Sequence, residues 1–257
     1  MILFFLKAPL QAMHLLLDVT IMHTNTRFLL MGFLMFSSHL IAKSKPDHLK
    51  TLLIETSMGN IEVSLSHKSK QTSEAFIKLV ESGAFNLDGN SFYRVVTPQN
   101  DTYIASDQLR EKGIGVIQGG IEFVDSQLKS KISAPQIIND FETTKESGLL
   151  HKPGAFALGR SFQDSSASLS EFFIDVEGDL EELNANTVRY KNYAPKDTLG
   201  LPVIGHVTKG MKLVKKIYGL NKKLTDKNQM LKCLPSKDKP CVDKDYSVKI
   251  IKMSIKP

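Results

Sequence analysis

The sequence lacks most of the features that would declare a chemistry outright. It has no tryptophan and only two cysteines, Cys233 and Cys241, in 257 residues. It has no Gly-x-Ser-x-Gly elbow, no His-Glu-x-x-His pair and no phosphate-binding Gly-Lys-Ser/Thr loop, and Gly119-Gly120 alone does not make a nucleotide site. Common hydrolase, zinc-protease and nucleotide chemistries are therefore not indicated. Charge of one sign is also missing as a block, because the 33 basic and 27 acidic side chains are interspersed. The densest basic run, Lys222 to Lys244, carries Asp226, Asp238 and Asp243 within it and has Tyr246 as its nearby aromatic, poor equipment for stacking bases. No nucleic-acid partner is expected.

Long apolar runs are absent as well. The stretch Phe28 to Phe36 falls short of the about 20 residues of an ordinary membrane span. Preceded by Met22-His23-Thr24-Asn25-Thr26-Arg27 and followed by Ser37, Ser38 and Ala42, it has the layout of a secretory signal cut after Ala42. Residues 1–42 are thus read as a signal peptide or an N-terminal anchor, with Met13 or Met22 as alternative starts, and residues 47–257 as the functional domain. A periplasmic or secreted location follows as an expectation. The loop Cys233-Leu-Pro-Ser-Lys-Asp-Lys-Pro-Cys241 can close a small disulfide in such a compartment, or hold two unrelated thiols; it lacks the further ligands a metal would need.

The remainder reads as many short strands and two helices. Leu52 to Glu55 and Ile61 to Leu65 flank the turn Ser57-Met58-Gly59-Asn60, giving an opening hairpin. From Lys70 to Phe85 the residues Ala75, Phe76, Leu79 and Val80 recur at helical spacing, with Thr72 or Ser73 as cap and Gly83 as terminator. Strands are expected at Ser91 to Val96, Gly115 to Gln118, Gly154 to Leu158, Ser170 to Val176 and Leu201 to Val207. A second helix is expected over Lys209 to Leu220, and a closing strand, Tyr246 to Ile255, that pairs with the first. Such spacing suggests a barrel or sandwich.

Five segments, Glu55-Thr-Ser-Met-Gly-Asn-Ile-Glu-Val63, Phe92-Tyr-Arg-Val-Val96, Val116-Ile-Gln-Gly-Gly120, Gly154-Ala-Phe-Ala-Leu-Gly-Arg160 and Ser170-Glu-Phe-Phe-Ile174, occur in an order that resembles the cyclophilins, over about Leu52 to Leu220. The resemblance implies a mainly β fold, a closed eight-stranded antiparallel barrel capped by two α-helices. It also implies peptidyl-prolyl cis-trans isomerase activity with no cofactor and no metal, acting on proline-containing polypeptide clients. Arg94 takes the position of the catalytic arginine and Gln118 that of the glutamine that orients it. Phe173 matches the floor of the proline pocket, Leu158 and Val116 its walls, and Gly159 and Arg160 the backbone that pairs with a bound peptide.

The departures are as informative. Gly115 stands where many members have a pocket phenylalanine, Leu201 where a histidine or tyrosine forms the rim, and Glu171 where a neutral glutamine is usual. These are expected to thin the pocket wall and to add a negative charge beside it. With no tryptophan, the family's drug-contacting residue is missing, and cyclosporin should bind poorly. His67, His151 and His206 have no catalytic partner at a readable spacing. A monomer is expected, and the alternative to an isomerase of exported proteins is a weakly active or inactive proline-peptide-binding module or chaperone on the same barrel. An anion- or lipid-surface binder would rest on charge alone.

Overall fold

The computed structural model describes residues 47–101, 113–160, 165–178, 180–185, 197–220 and 248–257. The N-terminal segment, Cys233, Cys241 and Tyr246 lie outside them. In the opening hairpin β1 (Lys50–Thr56) and β2 (Gly59–Leu65), Leu52, Ile54 and Thr56 are buried while their neighbours are more exposed, the period-2 pattern of a sheet with one inner face. Gly59 makes the turn with φ +129°. The chain continues through α1 (Lys70–Glu81), β3 (Ser91–Val96), β4 (Ile114–Gly120), α2 (Ser126–Lys129), β5 (Ile137–Ile138), α3 (Thr144–Ser147), β6 (Ala155–Arg160), β7 (Ala167–Gly178), β8 (Val203–Lys209), α4 (Met211–Tyr218) and β9 (Val248–Ile255).

Every pairing is antiparallel, in the order β4-β3-β9-β1-β2-β8-β6-β7, and β7 pairs back to β4. Eight strands therefore close into a barrel. The two-residue β5 adds to β7 outside that ring, through Ile137↔Ser168 and Ile138↔Ala167. Among the described residues, closure pairs every strand of the ring on both sides. β9 does pair with β1, as expected of the closing strand.

The interior is aromatic. Phe156 stacks on Phe172 at 5.0 Å between ring centroids, Phe92 meets Phe172 edge-on at 5.7 Å, and Phe76 of α1 meets Phe156 at 5.5 Å. Such tilted contacts suit the ring quadrupoles. α1 packs against β7, β8 and β9, and α4 against β2, β4 and β7, burying Val214 and Ile217.

One detail differs from the sequence reading. α1 begins at Lys70, so Thr72 and Ser73 lie inside it and neither serves as its cap. The Glu142 carboxylate, distant in sequence, accepts the N–H groups of Gln71 and Thr72 at 2.7 and 3.0 Å. A long-range anion thus satisfies helix-end donors that a local side chain usually takes, and its charge complements the helix dipole.

Candidate active site

The register of four neighbouring strand pairs aligns one row of residues across the sheet. Arg94 of β3 stands opposite Gln118 of β4, Gln118 opposite Phe173 of β7, Phe173 opposite Ala157 of β6, and Ala157 opposite Val203 of β8. Directly opposed residues project from the same face. For Arg94, Gln118 and Phe173 that is the outer face, because the alternate residues Phe92, Ile117, Phe172 and Phe156 fill the barrel.

A β-bulge modifies the row at its polar end. The pairing passes from Phe92↔Gly119 directly to Arg94↔Gln118, so Tyr93 is the extra residue. Bulges re-aim side chains, and here Tyr93 joins Arg94 at Gln118. Arg94 Nη1 donates to Gln118 Oε1 at 2.9 Å, and Gln118 Nε2 donates to the Tyr93 hydroxyl at 2.8 Å. Tyr93 in turn donates to Glu171 Oε2. The polarity is self-consistent. A hydroxyl has one proton to donate, and with that hydrogen bond directed at Glu171 it accepts from the amide nitrogen, which leaves the amide oxygen for the guanidinium.

Glu171 stands opposite Gly120. A Cβ on Gly120 would come within 2.6 Å of Glu171 Oε1 and 2.3 Å of the Ser170 carbonyl, at a backbone φ of +149°. A Cβ on Gly119 would press on the Phe92 and Phe172 rings at 3.1 and 3.3 Å. The two glycines, too weak a pattern to argue a phosphate site, are needed so that rings can pass on one face and a carboxyl can fold over the other. Burial raises the Glu171 carboxyl to about 8, with the Glu122 carboxylate adding to the effect and the Tyr93 hydrogen bond and Lys129 opposing it. At neutral pH the group is mostly a neutral acid. The expected negative charge beside the pocket is therefore corrected: burial removes it.

The apolar end of the row is a second cluster outside the barrel core, containing Val96, Val116, Ala157, Phe173, Leu180, Leu183, Leu201 and Val203. Phe173 is 8 % exposed and lies parallel to the His151 ring, with centroids 5.8 Å apart. His151 is buried between the Asp175 carboxylate, 2.8 Å from Nδ1, and the Leu201 carbonyl, which accepts from Nε2 at 3.0 Å. Its ring covers one face of Phe173. The site thus joins a held guanidinium to a buried apolar cluster, and these are the two kinds of group that twisting a prolyl amide calls for.

The family model for cyclophilin type peptidyl-prolyl cis-trans isomerase/CLD matches residues 51–234. The chain is a cyclophilin. It is accordingly a peptidyl-prolyl cis-trans isomerase acting on proline-containing polypeptides. Among solved structures it is similar to a cyclophilin type isomerase of Cryptosporidium parvum solved in the presence of the dipeptide Ala-Pro, at 15% identity and TM-score 0.47, covering 81% of this chain and 99% of that one. A second structure of that Cryptosporidium parvum protein gives 14% identity and TM-score 0.47, covering 81% and 98%. No curated protein sequence matches the chain.

Within this cyclophilin the sequence-derived site divides. Arg94, Gln118, Val116 and Phe173 come together as expected. Leu158 does not: it is fully buried in the barrel core with Phe156 and Phe172, because strand alternation gives the outer position to Ala157. Gly159 falls at the register break between Leu158 and Arg160, and is half-buried. Arg160 pairs with Ala167 in the β6–β7 ladder. Its guanidinium is only 3 % exposed, gripping Asp197 with two bonds of 2.7 and 3.0 Å and donating to the Ser165 and Gly200 carbonyls. It also lies 5.1 Å from the Phe141 ring. This guanidinium fastens two loops together, while the pairing expected of Arg160 runs through its main chain.

Gly115 likewise differs from expectation. A Cβ there would lie 2.6 Å from Glu177 Cγ and 2.7 Å from the Tyr218 hydroxyl, which donates to Glu177 Oε1 at 2.6 Å. The position is filled by neighbours, so it is not a gap in the wall. Sequence reasoning missed Tyr93, His151, Leu180 and Leu183. Tyr93 sat inside the quoted Phe92-Tyr-Arg-Val-Val96 motif, but period-2 alternation assigns it to the face opposite Arg94 unless the bulge is known.

Proposed function

We propose that this cyclophilin catalyses X–Pro isomerisation in exported polypeptides, with Arg94 as the catalytic donor. The barrier of about 18–20 kcal/mol comes from amide resonance, and no bond to a nucleophile or metal is needed to lower it. The Arg94 guanidinium, always charged and with several donors in a rigid fork, hydrogen-bonds the twisting amide more strongly than the planar one. Gln118 orients it. Phe173, with Val116, Leu183 and Leu201 beside it, receives the proline ring, and the main chain at Gly159 pairs with the client. The observation that carries this reading is the single row Arg94, Gln118, Phe173 across β3, β4 and β7.

The signal-like residues Met22 to Ala42 support periplasmic or secreted clients, where uncatalysed exchange over tens to hundreds of seconds limits folding. Exchange spectroscopy on short Xaa-Pro peptides tests the chemistry: the protein accelerates cis-to-trans exchange and Arg94→Ala abolishes it. A folded wild-type protein that accelerates no peptide would leave a proline-binding module in its place. Intact mass and N-terminal sequence of the protein recovered from outside the cytoplasm test export, with a start at Lys43 expected.

A further inference from the structure

The hydrogen-bonded series beneath Arg94 does not stop at the glutamine. Tyr93 sits at a bulge, where the backbone departs from regular pairing to aim the phenol at Gln118, and Glu171 is enclosed between Gly120, Gly159 and Tyr93. Its Oε1 is buried without a hydrogen-bond partner among the described residues. The Glu122 backbone N–H faces the carboxyl as well, and burying such a group is costly unless it is used or neutralised.

We propose that Tyr93 and Glu171 are positioning residues that hold and polarise the Arg94 guanidinium through Gln118, so that the protonation of Glu171 tunes the isomerase. This rests on Arg94 being the donor to the prolyl amide. In the protonated form, Oε2 accepts from Tyr93 and Oε1 carries the proton. When Glu171 ionises, Tyr93 donates to a full carboxylate, a stronger bond than to an acid. The phenol oxygen then becomes a better acceptor for Gln118 Nε2, and the amide oxygen a better acceptor for Arg94, because linked hydrogen bonds polarise one another. Arg94 is drawn back onto Gln118 and gives less to the substrate. The titratable and charged groups that face Glu171 are the neutral Tyr93 from β3, Glu122 from the turn after β4 and Lys129 from α2, with Arg94 reached through Tyr93 and Gln118. Glu122 opposes ionisation and Lys129 favours it, and burial, the largest influence, holds the midpoint at about 8.

The test compares full-length wild type, Glu171→Gln, Tyr93→Phe and Arg94→Ala. Wild-type kcat/KM falls severalfold from pH 7 to pH 9.5 with a midpoint near 8. Glu171→Gln, which cannot ionise, loses that step, and Tyr93→Phe loses the step together with about tenfold of kcat. A wild-type-like pH step in Glu171→Gln, or Tyr93→Phe indistinguishable from wild type, overturns the proposal. A second readout does not need turnover. The Arg94 side-chain nitrogen resonances move between pH 7 and 9.5 in wild type and stay fixed in Glu171→Gln. If they move equally in both, the relay is absent. If they behave as expected while Arg94→Ala isomerises as fast as wild type, the relay stands and the assignment of Arg94 as donor fails instead.

Discussion

β3, β4 and β7 each present two faces, and the two are built on different terms. Inward, Phe92, Ile117 and Phe172 belong to one continuous core with Phe156 and Phe76, in which apolar area and ring geometry suffice. Outward, the same strands carry Tyr93, Arg94, Gln118, Glu171 and Phe173, where polar atoms are linked in series and the aromatic ring rests on a buried histidine. The inner face tolerates only shapes that fill it. The outer face depends on which atom donates to which, and it needed a bulge and two glycines to be assembled. Stability and chemistry are thus separated by about one strand thickness, and substitutions on either side should fail in different ways.

The largest effect should come from the inner face. Phe172→Ala removes the ring that touches Phe85, Phe92 and Phe156 and is expected to lower unfolding free energy by about 3–5 kcal/mol. Urea denaturation reads this directly, and a loss below about 1 kcal/mol would mean that the core refills. His151→Ala probes the border between the faces. It breaks a buried contact with Asp175 and withdraws the support of Phe173, so a loss of about 3 kcal/mol should come with a raised KM. Loss of stability without a change in KM would show that Phe173 does not need the imidazole.

A third prediction concerns pH. Because the Glu171 carboxyl is raised from 4.5 to about 8, the folded chain holds a proton there that the unfolded chain has released. Stability should therefore decline as pH rises from about 4.5 and level off above about 8. Comparing denaturation midpoints across that window for wild type and Glu171→Gln isolates this group, and the variant should show a flatter dependence.

Much of this was legible beforehand. Leu52, Ile54, Ile61 and Val63 mark the opening hairpin by alternation alone, and Phe76, Leu79 and Val80 mark the buried face of α1. The five ordered motifs supplied Arg94, Gln118 and Phe173. What alternation cannot reveal is where it breaks. The bulge at Tyr93 and the register shifts at Gly115 and Gly159 decide which face a residue takes, and they depend on partner strands distant in sequence. Leu158 was misplaced for a related reason: motif position says which residues are near a pocket, while the pleat decides which face their side chains take. The Glu142 cap on α1 comes from a residue about seventy positions away, which no local pattern could show.

The smallest effect is expected from the segment between β3 and β4. Its ends are already joined, since the Ile114 N–H donates to the buried Asp101 carboxylate at 3.2 Å. Replacing residues 102–112 with a short glycine-containing turn between those joined ends should change stability by less than about 1 kcal/mol, as the length of chain between two fixed ends enters closure entropy only logarithmically. Kinetics on a panel of Xaa-Pro peptides would then show whether the segment selects clients; an unchanged panel would end that idea.

The central claim is that a guanidinium fork, held by Gln118, does the chemistry of the outer face. The most direct measurement is kcat/KM for Arg94→Lys on an Xaa-Pro peptide, since lysine keeps the charge but loses the planar pair of donors. A fall of about a hundredfold or more, with an unchanged unfolding midpoint, is the predicted result. Activity within a fewfold of wild type would contradict it, and would reduce the role of Arg94 to charge alone.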